Sequence, residues 1–389
     1  MGITNTRSNH WTLSLNGTQL TSGDINTSNS SRSSQFNLMA GTGGSAALTN
    51  IAVAAGDVLR LQFNATTPGG STLAGTGDGV GVKLTITAIA TNTRIARDLN
   101  GDGKTDLVFQ NNAGQLYQWA LDGTGNAITF SPKAGINSFA YLYTGGLGDW
   151  RVVGVADVNG DGIPDLVFQN GAGQIYAWFL DGTGNALNFS TGAGIKGSRF
   201  LYTGGLGDWR VVGVADVNGD GNPDLVFQNG AGQVYAWFLD GTGTALNFGT
   251  GAGLRGYGFL YTGGLGDWRV VGVGDLNGDG NPDLLFQNAA GQLYAWFLNG
   301  TGTALNFSTG AGLVGHRLLY TGGLGDWRVA GIMDVNGDNL PDLVFQNNAG
   351  QLYAWFLDGS GTAINFGTGV GLKGSVFLYT GGLGDWRVR

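Results

Sequence analysis

The chain has no cysteine, and its 27 acidic residues are all aspartate. Without cysteine there is no disulfide framework and no thiolate metal site, and the redox compartment cannot be read. Without glutamate, an EF-hand lacks the bidentate ligand that closes its calcium loop. Histidine is nearly absent: His10 and His316 are isolated and unrepeated. With no Cys, no Glu and no recurrent Ser–His or His–metal set, no catalytic constellation emerges, and a non-enzyme is expected. No apolar run is long enough to span a membrane, and residues 1–20 lack the continuous apolar segment of a conventional signal peptide. No basic patch offsets a formal net charge of −8, which argues against nucleic acid as a partner. Helical periodicity of useful length is also missing.

What the chain does have is glycine, 75 of 389 residues, without the triplet period of collagen, and aromatics in number: 11 Trp, 12 Tyr and 20 Phe. Such a chain can bury a core. In residues 1–90, apolar side chains alternate with polar ones at Trp11, Leu13 and Leu15, at Leu59, Leu61 and Phe63, and from Val80 to Ala88. Period-two patterns with one apolar face predict antiparallel strands, with a turn at Asn16-Gly17 and a Ser/Asn/Thr-rich loop over 21–35. A small N-terminal β-sandwich domain, with its linker, is expected over 1–93.

From residue 94 to 389 the sequence repeats at a spacing of 59, five times. One unit reads as strands over 150–156, 165–170 and 174–180, an Asp181-Gly182-Thr183-Gly184 turn, a short strand over 186–189, a Gly-rich link, and a strand over 200–203. In Ile175-Tyr176-Ala177-Trp178-Phe179-Leu180 both strand faces are apolar, so both must be covered. Repeats of this length and content predict an all-β fold, a five-bladed β-propeller with one antiparallel sheet per blade. The Trp-Arg-Val that precedes each internal acidic loop is missing before Asp98, where Thr91 stands, and appears instead at Trp386-Arg387-Val388. The C-terminal segment is therefore expected to complete the first blade of its own chain, or else that of a neighbour.

Each repeat carries one acidic loop, such as Asp157-Val-Asn159-Gly-Asp161-Gly-Ile163-Pro-Asp165. Oxygen-bearing side chains fall at positions 1, 3, 5 and 9: Asp98, Asn100, Asp102 and Asp106; Asp157, Asn159, Asp161 and Asp165; Asp216, Asn218, Asp220 and Asp224; Asp275, Asn277, Asp279 and Asp283; Asp334, Asn336, Asp338 and Asp342. Position 7 (Lys104, Ile163, Asn222, Asn281, Leu340) varies freely, as a backbone-carbonyl ligand allows. Glycines at positions 4 and 6 permit tight winding, and Asn339, at position 6 of the fifth copy, tolerates the left-handed region. An all-oxygen set without a position-12 Glu points to Ca²⁺, about five ions, one per repeat, bracing the fold. Five divalent ions would take the net charge from −8 to +2. Gly103-Lys104-Thr105 is no phosphate loop, because Asp98 stands where that motif needs its first glycine.

The stretch Val-Ala-Asp157-Val-Asn159-Gly-Asp161-Gly-Ile-Pro-Asp165-Leu-Val-Phe resembles the FG-GAP/VCBS repeats of integrin α-subunit propellers and of some fungal and bacterial propeller lectins. The resemblance covers residues 94–389 in five copies. It implies a calcium-stabilised propeller, usually extracellular, used for adhesion or ligand binding, with the loop residues named above as its calcium ligands. Well-known members have seven blades, and residues 1–90 lie outside the match.

Two functions follow as expectations. The first is an extracellular or cell-surface protein that binds glycans, or cell-surface and matrix components, multivalently. Its contact residues would be Trp150, Trp209, Trp268, Trp327 and Trp386, each in Gly-Asp-Trp-Arg beside a Gly-rich link, while Tyr176, Trp178 and their equivalents read as blade core. The second is a self-associating subunit of an extracellular fibre or surface layer.

Overall fold

The computed structural model describes residues 8–15, 18–25, 42, 59–66 and 97–389. The chain divides into two compact units, Met1–Thr87 and Ala88–Arg389. In the first, Ser8–Leu15 is the middle strand of an antiparallel sheet, flanked by Thr18–Ile25 and Leu59–Thr66. Thr21 to Ile25, read from composition as loop, are thus strand. The reason lies in the hydroxyls: the Thr21 Oγ1 donates to the Thr42 carbonyl at 3.0 Å, and the Ser22 N–H donates to the Thr42 Oγ1 at 3.0 Å. These buried polar side chains are satisfied by Thr42, which lies outside the three strands. The expected strand at Val80–Ala88, the Asn16-Gly17 turn and the second sheet of a sandwich lie outside the described residues.

The second unit is all-β, with no helix among the described residues and five four-stranded antiparallel sheets. In the second repeat the strands are Arg151–Ala156, Asp165–Gln169, Ile175–Leu180 and Ile195–Tyr202, paired in that order. Two details differ from the sequence reading. Residues 186–189 are not a strand but one side of a tight turn with a single bridge, Asn188 to Ala193, where the Asn188 Oδ1 accepts the Ser190 and Thr191 N–H groups. The fourth strand starts at Ile195, within the stretch read as a Gly-rich link. Its glycine and polar residues hid the strand, since only Ile195 and Leu201 are buried there.

Alternation places the third strand as expected. Tyr176, Trp178 and Leu180 pack into a core shared with Val108, Leu116 and Leu142 of the first repeat, whereas Ile175, Ala177 and Phe179 pack with Leu225 and Phe227 of the third. Every core in this unit is shared by two repeats in this way, and one of them joins Leu107, Phe109 and Trp119 of the first repeat to Val344 and Leu352 of the fifth. The C-terminal Arg387–Val388 is the outermost strand of the first repeat's sheet, pairing with Phe109 and Gln110, so the missing first strand comes from the other end of the chain. First strands of successive repeats lie side by side. Gly154 makes this approach possible, since a Cβ there would stand 2.2 Å from the Val214 Cγ2.

A buried glutamine closes each seam. Gln110, Gln169, Gln228, Gln287 and Gln346 end the second strands and are at most 6% exposed. Each side-chain amide donates to the carbonyl of the next Trp (Trp150, Trp209, Trp268, Trp327, Trp386) at 2.8–3.2 Å. Each also accepts the N–H two residues further on, from Val152, Val211, Val270, Val329 or Val388, at 2.9–3.1 Å. Both partners are backbone groups, the N–H buried and the carbonyl partly so, and removing the amide orphans a donor and an acceptor together. Gln228→Leu is expected to destabilise the unit by about 2 kcal/mol, read from the midpoint of a urea titration at constant slope. An unchanged midpoint would remove the clamp from the account of the seams.

Candidate metal loops and aromatic pockets

Each acidic loop joins the first strand of a repeat to the second, and it is wound by its own side chains. In the second repeat the Asp157 carboxylate accepts the N–H groups of Gly160, Asp161 and Gly162, at 2.8, 3.2 and 2.6 Å. The Asn159 Oδ1 accepts the Asp161 N–H, and the Asp161 Oδ1 accepts that of Ile163, both at 2.9 Å. The other copies follow the same pattern at position 5, with Lys104, Asn222, Asn281 and Leu340 donating to Asp102, Asp220, Asp279 and Asp338. Left-handed backbone at position 6 makes the winding possible: Gly162 has φ +81°, and Asn339, its counterpart in the fifth copy, has φ +62°.

The position-9 carboxylates lie beneath the loops. Asp106, Asp165, Asp224, Asp283 and Asp342 are fully buried. Asp165 binds the Val158 and Leu180 N–H groups, both at 3.1 Å, tying the loop to the end of the third strand. Burial, reinforced by the loop's other carboxylates, pushes the pKa of Asp106, Asp165, Asp224 and Asp283 up to about 8 and that of Asp342 to about 7.

The residues fit a hard divalent cation by donor chemistry. Three carboxylates and an asparagine share nine residues, and the Asp106 Oδ1 and Asp342 Oδ1 are buried without a hydrogen-bond partner, leaving lone pairs open to a cation. Among the described residues no three acidic side chains converge on one point; the loop N–H groups bond the carboxylates in this arrangement.

A feature that composition did not reveal is a cation from the fourth strand, 35 residues on. Lys196 and Lys373 reach Asp161 and Asp338 at 2.9 Å, and Arg255 reaches Asp220 at 3.3 Å. Against partial burial, which raises it, the Lys196 ammonium holds the Asp161 pKa below the ordinary value. In the first copy Asn137 binds Asp102 at 3.1 Å, and in the fourth the same strand position is Val314, 60% exposed. The spacing of 35 is the only trace of this in the sequence.

Residues 98–168, 157–227 and 216–286 each match the FG-GAP-like repeat model. These three FG-GAP-like repeats place residues 98–286 in the FG-GAP/VCBS repeat family. No curated protein matches it. Each matched FG-GAP segment begins at the first aspartate of one loop and ends at the buried Phe of the next, such as Phe168 and Phe227, so the family's signature spans a seam and not a single sheet.

The expected contact tryptophans sit at the strand ends opposite the loops. Trp150 precedes the first strand of its FG-GAP repeat, Tyr176 opens the third and Phe200 nears the end of the fourth. Their ring centroids are 5.9 Å (Trp150–Tyr176), 5.9 Å (Trp150–Phe200) and 4.7 Å (Tyr176–Phe200) apart. The same triad recurs as Trp209, Tyr235 and Phe259, as Trp327, Tyr353 and Phe377, and across the chain ends as Trp386, Tyr117 and Tyr141. Trp268 meets Tyr294 at 5.9 Å, but Leu318 stands where the third ring would be. Each tryptophan is half-buried, while Phe200, Phe259, Phe377 and Tyr141 are at least 40% exposed. Trp178 is core as expected; Tyr176, also read as core, is half-buried and is itself the middle ring of the triad. Asp149 and Arg151 form no ion pair with each other: Asp149 accepts the Gly171 N–H at 2.9 Å, and Arg151 donates to the Gly148 and Trp150 carbonyls.

Two of these aromatic clusters enclose cavities. One, of about 320 Å³, is lined by Tyr261, Leu265, Trp268, Phe286, Tyr294, Trp296, Phe307 and His316. The other, of about 230 Å³, is lined by Phe109, Tyr117, Trp119, Tyr141, Leu383 and Trp386. None of the residues lining either cavity is acidic or carries a fixed positive charge.

The raised position-9 carboxylates set a pH dependence for the metal-free protein. Their folded pKa lies above the unfolded value near 3.8, so the native state binds more protons between about pH 4 and 8 and loses stability as pH rises through that window. In EDTA the melting temperature is expected to increase steadily from pH 8 down to pH 5. A melting temperature that falls over the same descent would contradict the burial of these carboxylates.

Proposed function

We propose that the FG-GAP repeats form a closed, calcium-stabilised five-bladed β-propeller that binds glycans multivalently at the cell surface or outside the cell, without catalysing a reaction. The observation that carries this is the aromatic cluster repeated at every seam, open as a cavity of about 320 Å³ around Trp268. Flat, half-exposed aromatic rings suit the apolar face of a pyranose, with tyrosine hydroxyls at hand for its polar edge. Five such sites on one rigid body convert weak binding into avidity. Closure within one chain is supported by Arg387–Val388 pairing with the second strand of the first repeat and by the hydrogen bond from Ile128 to Leu378, at 2.6 Å. With that edge paired internally, the fibre-forming alternative has no support from the seam.

Calcium would be held by positions 1, 3, 5 and 9 of each loop, with the position-7 carbonyl, and would supply the counter-charge that the buried carboxylates lack. At calcium about tenfold above the dissociation constant each site adds about 1.4 kcal/mol, so five add about 7 kcal/mol, comparable with the whole stability of many domains. Sites of the extracellular class, binding at about 10⁻⁴–10⁻³ M, stay empty in cytosol, which supports a location outside it.

Excess EDTA is expected to lower the melting temperature sharply, and calcium to restore it; an unchanged melting curve sinks the calcium assignment. Val314→Lys, which supplies the fourth loop with the ammonium found in the second and fifth, should weaken calcium binding there by about tenfold, seen by calorimetry as one site moving from the tighter class of the first and fourth loops to the weaker class of the other three. A glycan array probed with the calcium-loaded protein should light up on a restricted set of sugars, and blank spots across a broad panel would discard glycan recognition.

A further inference from the structure

The five aromatic clusters are not equivalent, and the difference is concentrated on the fourth strand. Two positions there face the cluster across the sheet. The first, paired with the core tryptophan of the third strand, is Phe139, Ser198, Tyr257, His316 and Ser375 in repeats one to five. The second, paired with the tyrosine, is Tyr141, Phe200, Phe259, Leu318 and Phe377. The Trp, the Tyr and the core Trp recur in all five, so these two positions are what distinguishes one cluster from another.

The fourth cluster departs at both. Leu318 removes the ring that covers the tyrosine elsewhere, and the cavity there is about 320 Å³ against about 230 Å³ in the first repeat. His316 is exposed and lies between two rings, 5.1 Å from Phe307 and 6.0 Å from Tyr294, nearly parallel to the latter at 23°. Its Nδ1 is 2.7 Å from the Tyr294 hydroxyl. In the second and fifth repeats a serine hydroxyl occupies that place, 3.0 Å from Tyr176 and 2.9 Å from Tyr353. Unlike those serines, the imidazole has a second nitrogen, so the bond to Tyr294 fixes the ring and leaves Nε2 for another partner.

We infer that the fourth pocket is the principal glycan site, and that His316 and Leu318 determine its specificity. Resting on the glycan reading above, the inference assigns the pocket an uncharged pyranose, stacked on Trp268 in the space Leu318 leaves open, with one hydroxyl hydrogen-bonded by the His316 Nε2. The lining explains the choice of class: it has aromatic faces and one oriented polar pair, and neither a carboxylate nor a fixed cation to pair with a charged sugar. The other four clusters, each with a phenylalanine or tyrosine ring paired across the sheet with the tyrosine, bind the same ligand more weakly.

The test exchanges side chains between repeats, so that every variant uses residues the fold already accommodates. His316→Ser with Leu318→Phe gives the fourth pocket the residues of the second and fifth; Ser375→His with Phe377→Leu does the reverse in the fifth. Calcium-loaded wild type and both variants, matched in melting temperature, are titrated calorimetrically with N-acetylglucosamine, methyl glucoside, methyl galactoside and choline. The expected result is one site at least about tenfold tighter than the rest in the wild type, lost in the first variant and doubled in the second. Glycosides that bind five equal sites, indifferent to both exchanges, would overturn the inference and leave the glycan reading standing. No glycoside binding to any variant overturns both, and choline bound in preference to the sugars replaces the pyranose with a quaternary ammonium in an aromatic cage.

Discussion

The glutamine that ends each second strand is the constraint on which the rest of the repeat unit depends. Neighbouring sheets exchange no continuous ladder; each is hydrogen-bonded within its own four strands. What remains at the seam is a buried N–H and a partly buried carbonyl on the incoming first strand, beside a bulge that skips one residue of the register, such as Val153 or Val212. One primary amide offers a donor and an acceptor in a single plane, which matches that pair; an ionised carboxylate, which only accepts, does not. By fixing the tryptophan's carbonyl, the amide also fixes where the tryptophan starts, and hence where the aromatic cluster forms. The same clamp at Gln346 ties the last strand, which pairs within the first repeat's sheet, to the fifth repeat, so the chain ends meet by the rule that governs the interior.

The acidic loops sit at the opposite strand ends and pose the opposite problem. There the backbone is amply satisfied, and the strain is electrostatic: the position-9 carboxylate is buried, with two other carboxylates near enough to raise its pKa further. Three remedies are available to such a site, namely protonation, a cation from the chain, or a metal. The upward pKa shifts express the first. Lys196, Arg255 and Lys373 express the second, on the outer carboxylate where solvent screening keeps an ion pair weak. The chain's cations do not reach the buried oxygens of Asp106 and Asp342 that lack a partner, and protonation answers them only below about pH 8 and 7; the charge left unmet above that range is the physical ground for invoking the third.

How much of this could be read from the chain depended on sequence distance. The loops, the left-handed Asn339, the two apolar faces of Ile175–Leu180 and the assignment of Trp178 to a core are local patterns, and periodicity within ten residues was enough. The completion of the first sheet by Trp386-Arg387-Val388 was legible because a repeat has a phase, and a missing piece must reappear in phase. The glutamine clamp was hidden because its partners lie 40 and 42 residues away, and a buried Gln after Asp-Leu-Val-Phe looks like any polar strand end. The fourth strand failed for a different reason: Ile195–Tyr202 buries so few side chains that no period-two pattern survives, and its exposed positions carry the contacts to both loop and pocket. His316, dismissed as isolated, is isolated only in sequence; the register sets it opposite Trp296.

Near-identity of the repeats makes the few differences informative. Burial constrains the second strand absolutely: all five residues of each copy are buried, and the copies differ only where Leu285 replaces Val. The seam amide and the loop ligands are equally fixed, since each is bound at both ends. Substitution is free only where a side chain meets solvent or a ligand, and the fourth strand is where the fold provides that freedom. Val314 above the loop and His316 and Leu318 beside the pocket all fall on one such strand, so the fourth repeat differs from its neighbours at both ends at once. A scaffold held by interactions every copy must keep can alter one surface without disturbing the others, and this is how five equal sheets come to carry unequal sites.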